Sequence, residues 1–365
     1  MKKIFLYSLF IIIIIASLSA ILVNNSSIDV NENKENVSIA VTGDVMFARN
    51  MPNVLSPDLS PFKGVSDVIS NVDLLLINFE NAATTSTNPL KSDIPLKCSP
   101  YYVPLVKANN LTVVALANNH ALDYGIDGMN DTIKNLNDSG ILSIGAGNSE
   151  DDAHQAIVKE INGRKIMILN YMDSKNFAEY SYDTMPYANG TSPGYSAYDS
   201  QDAYKQISKN NDSNLIIVYM HYGNEYSSSP NENQINISHE LIDYGADIVI
   251  GTHPHVTQGI EMYKGKPIFY SLGNFIFDQS NTQTHSAYFV KIDLINNTGK
   301  CCVYPIYISN YLPQYMNSND GTNLLKGLNP STDQLEITDN GTAFLNFKSI
   351  LINSFSVLLL LELYI

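Results

Sequence analysis

Short apolar runs recur through most of this chain, each too short for a buried helix and each bounded by Gly, Asn, Asp or Ser. The runs at 37–41, 74–77, 112–116, 141–144, 165–169, 215–220, 248–250, 267–271, 287–294 and 302–308 are dominated by Val, Ile and Leu. Such runs read as strands. Between the third and fourth, Ile126, Met129, Ile133 and Leu136 keep helical spacing, and Gly140 stands where a helix C-cap belongs. Strands alternating with helical patterns predict an α/β domain whose strands are buried in the middle. The Ser- and Tyr-rich stretch 180–199 reads as a long loop.

The two ends break this pattern. Residues 4–23 are uncharged and almost wholly apolar behind Lys2 and Lys3, long enough to span a bilayer. Residues 1–23 are therefore expected to be a transmembrane signal anchor in the cell membrane, with the remainder outside the cytoplasm. Cleavage at Ser17-Leu18-Ser19, which would release a secreted protein, is the competing reading; the run exceeds the usual signal-peptide core. Residues 24–36 read as a polar linker, 37–313 as the folded domain, and 314–365 as a loosely ordered tail. That tail ends in an apolar segment, 350–365, which contains Asn353 and Glu362 and falls short of a membrane span. It is expected to pack on the domain, with a second membrane contact as the alternative.

Composition narrows the function. The 365 residues carry a formal net charge of −15, which argues against nucleic acid or an anionic membrane surface as a partner held by global charge. An anionic substrate would need a local attractor, such as a metal. Cys98, Cys301 and Cys302 are too few and too unevenly spaced for a disulfide framework.

The candidate chemistry sits at the ends of the predicted strands. Gly43-Asp44 follows the first, Asn78-Phe79-Glu80 the second, Asn118-Asn119-His120 the third, His221 the sixth, and Gly251-Thr252-His253-Pro254-His255 the seventh. In an open α/β sheet, ligands bind outside the carboxyl ends of the strands, so these clusters can converge. Carboxylates, an amide oxygen and imidazoles form a mixed O/N set suited to Mn, Fe or Zn. His253 and His255, two apart, would point the same way on extended chain. Each residue also has a plainer role. Asp44 could cap a turn, Glu80 could be solvated, Asn119 could bond its own backbone, and His221 could be a satisfied core histidine. All of these must hold together to remove the site. His154, His239 and His285 lack comparable placement and read as surface or helix residues.

Six ordered blocks carry a family resemblance. They are Gly43-Asp44-Val45-Met46-Phe47-Ala48-Arg49, Asn78-Phe79-Glu80-Asn81, the run from Leu116 to Gly125 that includes Asn118-Asn119-His120, His221-Tyr222-Gly223-Asn224-Glu225-Tyr226, the run from Gly245 to Val256, and Tyr270-Ser271-Leu272-Gly273-Asn274-Phe275. Over about 37–308 the chain resembles the CapA family of poly-γ-glutamate capsule biosynthesis proteins, itself similar to calcineurin-like metallophosphoesterases. The resemblance implies a metallophosphatase-like fold, a two-sheet β-sandwich flanked by helices, with one or two divalent transition metal ions. It would make Asp44 and His255 ligands of a first ion, Asn119, His221 and His253 ligands of a second, and Glu80 the bridge. His120 would be the catalytic acid. Met46 stands where phosphoesterases usually carry a metal-binding His, Glu80 replaces an Asp, and Ala121 follows His120 where an acidic residue is common. A single-ion site is therefore also open. Arg49 could bind a substrate phosphate or carboxylate, or form a surface ion pair.

Two classes of function follow. One is a membrane-anchored extracytoplasmic protein for synthesis, export or attachment of an anionic polymer, with a metal-dependent hydrolytic site and a possible membrane synthase complex as partner. The other is a non-catalytic component that holds polymer or synthase in the same cleft. A secreted phosphoesterase acting on small phosphoester substrates is a narrower variant of the first.

Overall fold

The computed structural model describes residues 36–348 apart from 57, 91–93, 109–110, 175–185, 297 and 329–333. The expected anchor at 1–23 and the apolar segment at 350–365 lie outside the described residues. Among the described residues no helix is long and apolar enough to cross a membrane.

The chain first lays down four parallel strands, β1 (Val37–Val45), β2 (Leu74–Phe79), β3 (Leu111–Ala115) and β4 (Leu142–Ile144), in that spatial order. It then builds a second sheet from β5 (Ile157–Ile161), β6 (Arg164–Met172), β7 (Leu215–His221), β8 (Ile248–Thr252), β9 (Ile260–Tyr263) and β10 (Lys266–Phe269). The spatial order there is β9-β10-β8-β7-β6-β5, parallel except at the two edge pairs. Finally the chain returns to the first sheet. β11 (Asn274–Ile276) pairs with the last residues of β1, while β12 (Ser286–Ile295), β13 (Thr298–Ser309), β14 (Leu312–Tyr315) and β15 (Ala343–Lys348) extend the sheet antiparallel.

Side-chain alternation assembles these sheets into layers. Val37, Ile39, Val41, Leu74, Leu76 and Val113 of the first sheet meet Ile166, Ile168, Leu215, Ile217, Ile248 and Ile250 of the second in one core. Their sequence neighbours point the other way, so both faces of each sheet are apolar, as strands covered on both sides require. Ala40, Leu75, Ile77 and Val114 pack against Leu136 of helix α1 (Gly125–Asp138). Met167, Leu169, Ile216, Val218 and Val249 pack against helices α2 (Ser200–Lys209) and α3 (Glu232–Tyr244). Each Leu, Ile or Val so buried contributes about 1.5–3 kcal/mol. The result is a mixed α/β sandwich of two sheets with helices outside, in line with the expected architecture.

Helix α1 ends as its sequence foretells. Gly140 takes φ +68°, and the Ile141 and Gly140 N–H groups donate to Leu136 O and Asn137 O at 3.0 and 2.9 Å. This is a Schellman closure, which favours a residue without a Cβ.

The C-terminal region departs from expectation. Within the stretch expected to be a loose tail, α4 (Ser318–Leu328) buries Leu325 and Leu328 in the inter-sheet core. Strand β15 adds Ala343, Leu345 and Phe347 to the same core and pairs with β13. The folded unit thus runs to at least Lys348. The Asn-, Ser- and Thr-rich composition hides an alternation that only the partner strand reveals. In the expected loop 180–199, the described part forms a short strand, Gly194–Tyr195, paired with Ala146–Gly147.

Candidate metal centre

The strand ends predicted to carry chemistry do converge. Gly43 lets the end of β1 approach the turn before β11, because a Cβ there would lie 1.8 Å from Gly273 O. Asp44 next to it donates its N–H to Gly273 O at 3.1 Å and is fully buried. Glu80, just beyond β2, is equally buried and donates its N–H to Val45 O at 2.8 Å. Parallel pairing of β1 with β2, with Asp44 opposite Asn78, brings the two carboxylates to the same sheet edge.

His221 closes β7, and β8 ends one residue before His253. The turn beyond β8 is not extended as the sequence spacing anticipated. His253 and His255 take φ +99° and +58° on either side of Pro254, a conformation that costs of order 1–3 kcal/mol for residues with a Cβ. Instead of pointing together, the rings diverge, with centroids 6.1 Å apart. His253 lies against His221 at 4.8 Å between centroids. His255 turns to the other side, with Nδ1 3.3 Å from Asp44 Oδ2 and Nε2 3.7 Å from Glu80 Oε1.

Two buried groups result, Asp44, Glu80 and His255 in one and Glu80, His221 and His253 in the other, each with ligand atoms within 4.8 Å of one another. Glu80 belongs to both. Asn119 joins the second group, its Oδ1 lying 2.8 Å from His221 Nε2. The donors are carboxylate oxygens, imidazole nitrogens and one amide oxygen, withdrawn from water and convergent; this set fits a divalent transition ion.

Electrostatics separates the groups. Burial pushes the His221 and His253 rings well below the ordinary imidazole value, and neighbouring imidazoles push them further. Both shifts favour the neutral ring, the form that ligates a metal. Burial acts the same way on His255, but Asp44, Glu225 and Asn274 outweigh it and raise its pKa.

Supporting residues appear that sequence reasoning left unassigned. Asn78 Nδ2 donates to Asp44 Oδ1 at 2.8 Å and to Glu80 Oε2 at 3.4 Å, holding the carboxylates side by side. Asn118 in turn donates to Asn78 Oδ1 at 3.0 Å and accepts the His120 N–H at 3.1 Å. Asp123 is the most informative addition. It is fully buried, with Oδ2 2.7 Å from His120 Nδ1 and accepting the Leu96 N–H at 2.6 Å. The acid absent at position 121 is thus supplied three residues after His120.

The remaining expectations sort as follows. Arg49 pairs with the buried Asp278 and lies 5.4 Å from the Phe277 ring centroid, and that ring is 4.9 Å from His255. It therefore stands at the rim beside the first group, with its charge already matched. Met46 is fully buried in an apolar cluster with Phe47 and Phe79, and its Sδ accepts the Ala48 N–H. His154, His239 and His285 do not join the cluster. His154 ends the short helix Glu150–His154 and is buried, with Nδ1 2.9 Å from Asp202; His239 lies on α3 and stacks on Tyr263; and His285 Nε2 lies 2.9 Å from Gln279 O.

Two ties hold the halves of the cleft together. Asn170 of β6 accepts the Ala117 N–H at 2.8 Å and donates to Tyr219 O at 2.9 Å. The Tyr219 hydroxyl crosses from β7 to Thr42 O on β1. Both ties are buried and cross between the sheets, so each sheet's contribution is fixed relative to the other.

Residues 38–279 match the family described as bacterial capsule synthesis protein PGA_cap, and the chain belongs to that family. Among its relatives, the PGA biosynthesis protein CapA of Bacillus subtilis (strain 168) is 36% identical over 286 residues, covering 76% of this chain and 73% of the relative. The capsule biosynthesis protein CapA of Bacillus anthracis is 32% identical over 296 residues, covering 78% and 70%. A hypothetical protein from Thermus thermophilus aligns structurally over 76% of this chain and 96% of its own, with a TM-score of 0.42 and 15% identity.

Proposed function

We propose that this chain acts in poly-γ-glutamate capsule biosynthesis, the role named for its Bacillus relatives, through a metal-dependent phosphoesterase-like hydrolytic site. The observation that carries the reading is the pair of buried ligand groups sharing Glu80. In this reading Asp44 and His255 would hold one divalent ion, Asn119, His221 and His253 would hold another, and Glu80 would serve both. When bound, such ions polarise a phosphoryl oxygen and lower the pKa of a coordinated water.

The chain's own residues supply the rest. Asn78 keeps Asp44 and Glu80 parallel despite their mutual repulsion. Asp123 accepts the proton on His120 Nδ1, which directs Nε2 toward substrate as the group that steadies or protonates a phosphoryl oxygen. Burial of His221 and His253 keeps their lone pairs available. The turn at 253–255 divides two adjacent imidazoles between two positions. The polymer or phosphoester substrate is anionic, and on a chain of net charge −15 its attraction must be local. We further propose that residues 1–23 anchor the domain outside the cytoplasm, beside a membrane synthase complex.

Met46 favours a second reading. The resemblance puts a further metal-binding imidazole at position 46, and Met46 there is buried in an apolar cluster with its thioether engaged by a backbone N–H, which suits a single-ion site or a non-catalytic polymer-binding component. The test is to purify the protein, measure bound transition metals, and assay phosphomonoester and phosphodiester hydrolysis beside Asn119→Ala. The expected result is bound metal and hydrolysis that the substitution abolishes. Hydrolysis unchanged in Asn119→Ala rules out the catalytic assignment, and absence of both metal and activity favours the binding component.

A further inference from the structure

Asn274 is fixed in orientation by bonds that have nothing to do with the ligand groups. Its Nδ2 donates to Gln279 Oε1 at 2.9 Å and faces Thr284 O at 3.4 Å. A backbone carbonyl can only accept, so the amide nitrogen must lie on that side and the amide oxygen on the other. Oδ1 then lies 2.9 Å from His255 Nδ1. An amide oxygen likewise only accepts, so the His255 proton is held on Nδ1 and the lone pair on Nε2, the atom that faces Glu80. Asn274 is 1% exposed and sits on β11 opposite Asp44 in register. The short strand that gives Asp44 its backbone partner therefore also orients the imidazole beside it.

This support extends to the rim. Gln279 Nε2 donates to the Tyr226 hydroxyl at 3.4 Å, and the Tyr226 ring lies 6.2 Å from His255. Tyr226 itself takes φ +62°, with its N–H on Pro254 O at 2.8 Å. His255 is thus braced through Asn274 and Gln279 by a segment separate from the turn that carries it. His221 is braced differently, by Thr252 on the adjacent strand at 3.1 Å.

We propose that Asn274 is a positioning residue for the first metal position, selecting the His255 tautomer that ligates through Nε2, and that Gln279 maintains Asn274 in that orientation. The inference rests on the metal reading above and deepens it. With Met46 contributing no imidazole, the first position has few protein donors, and its occupancy depends on how well His255 is oriented. Hydrogen-bond partners of metal-bound histidines typically govern affinity by about 10–100-fold.

The experiment is titration of the full chain with Mn²⁺, followed by electron paramagnetic resonance, and with Zn²⁺ against a chromophoric chelator. Wild type, Asn274→Ala, Asn274→Asp and Gln279→Ala are compared, with circular dichroism to establish folding. Wild type is expected to take up two ions and to show a spin-coupled Mn²⁺ pair. Asn274→Ala should weaken one of the two by about 10–100-fold, leave the other unchanged, and convert the coupled signal to that of an isolated ion. Asn274→Asp, which retains an acceptor for Nδ1, should recover the coupled signal. Gln279→Ala should weaken the same ion by a smaller factor, and it carries the test if Asn274→Ala does not fold. Two ions held by a folded Asn274→Ala as tightly as by wild type overturn the inference alone, as does a wild type with one ion that no variant disturbs. A wild type that takes up no ion overturns the metal reading and this inference with it.

Discussion

The two ligand groups share Glu80 and little else. The second group is built where three strand ends of two sheets meet: Asn119 beyond β3, His221 at the end of β7, and His253 just past β8. Its rings have pKa values lowered by burial first and then by neighbouring imidazoles, His255 and His120 among them. The first group pairs a carboxylate, Asp44, with an imidazole whose pKa is raised, and it depends on the short strand β11 for both. One group therefore sets Glu80 among imidazoles whose pKa values are lowered, the other sets two carboxylates beside an imidazole whose pKa is raised. The lesson is that a symmetric list of candidate ligands can conceal two unequal groups.

Glu80 tests the shared element, and its loss should have the largest effect. Glu80→Gln removes the charge common to both groups while keeping the shape, and it should abolish uptake of both ions and any hydrolysis that depends on them. Retention of even one ion at wild-type affinity would show that the groups do not share this carboxylate. The split itself is tested by His253→Ala and His255→Ala. Each should lose one ion and keep the other, with the ion lost in His255→Ala being the one wild type binds more weakly. A reversed order of affinities would mean that the first group is not the weaker of the two.

Asp123→Asn probes chemistry without touching a ligand. The amide can present an N–H to His120 Nδ1 and so favour the wrong tautomer, and hydrolysis should fall by about 100-fold or more, within the range general acid–base groups supply. Metal content should not change. A variant with full turnover would remove His120 from the reaction.

Much of this was legible because it is local. The apolar runs, the α1 periodicity and the Gly140 cap depend on a few adjacent residues, and all appear as expected. The polar clusters at strand ends were readable for the same reason. What escaped depends on contacts distant in sequence. Extended backbone would aim His253 and His255 together, and only the surrounding fold sustains the positive φ values that separate them. Asp123 looks like a turn residue until the Leu96 N–H, 27 positions earlier, is brought to it. Asn274 lies within a recognised block, yet its role appears only once β11 is paired with β1. The alternation of Ala343, Leu345 and Phe347 acquires meaning only beside β13.

The smallest effect expected is on the pH dependence of stability in chelator-treated protein, and its sign differs between the groups. His253 has a lowered pKa when folded, so the unfolded chain binds its proton first; stability from this residue is complete above about pH 6.5, the ordinary imidazole value, and is lost as pH falls below it. His221 acts in the same direction. His255 has a raised pKa, so its contribution is complete below about pH 6.5 and is lost as pH rises through the folded value. Thermal unfolding from pH 8 to pH 5 should therefore show His253→Gln losing less stability on the acid side than wild type, and His255→Gln losing less on the alkaline side. Parallel curves for the two variants would mean that both imidazoles sit in the same electrostatic environment, and the contrast between the groups would then rest on Met46 and the bracing of His255 alone.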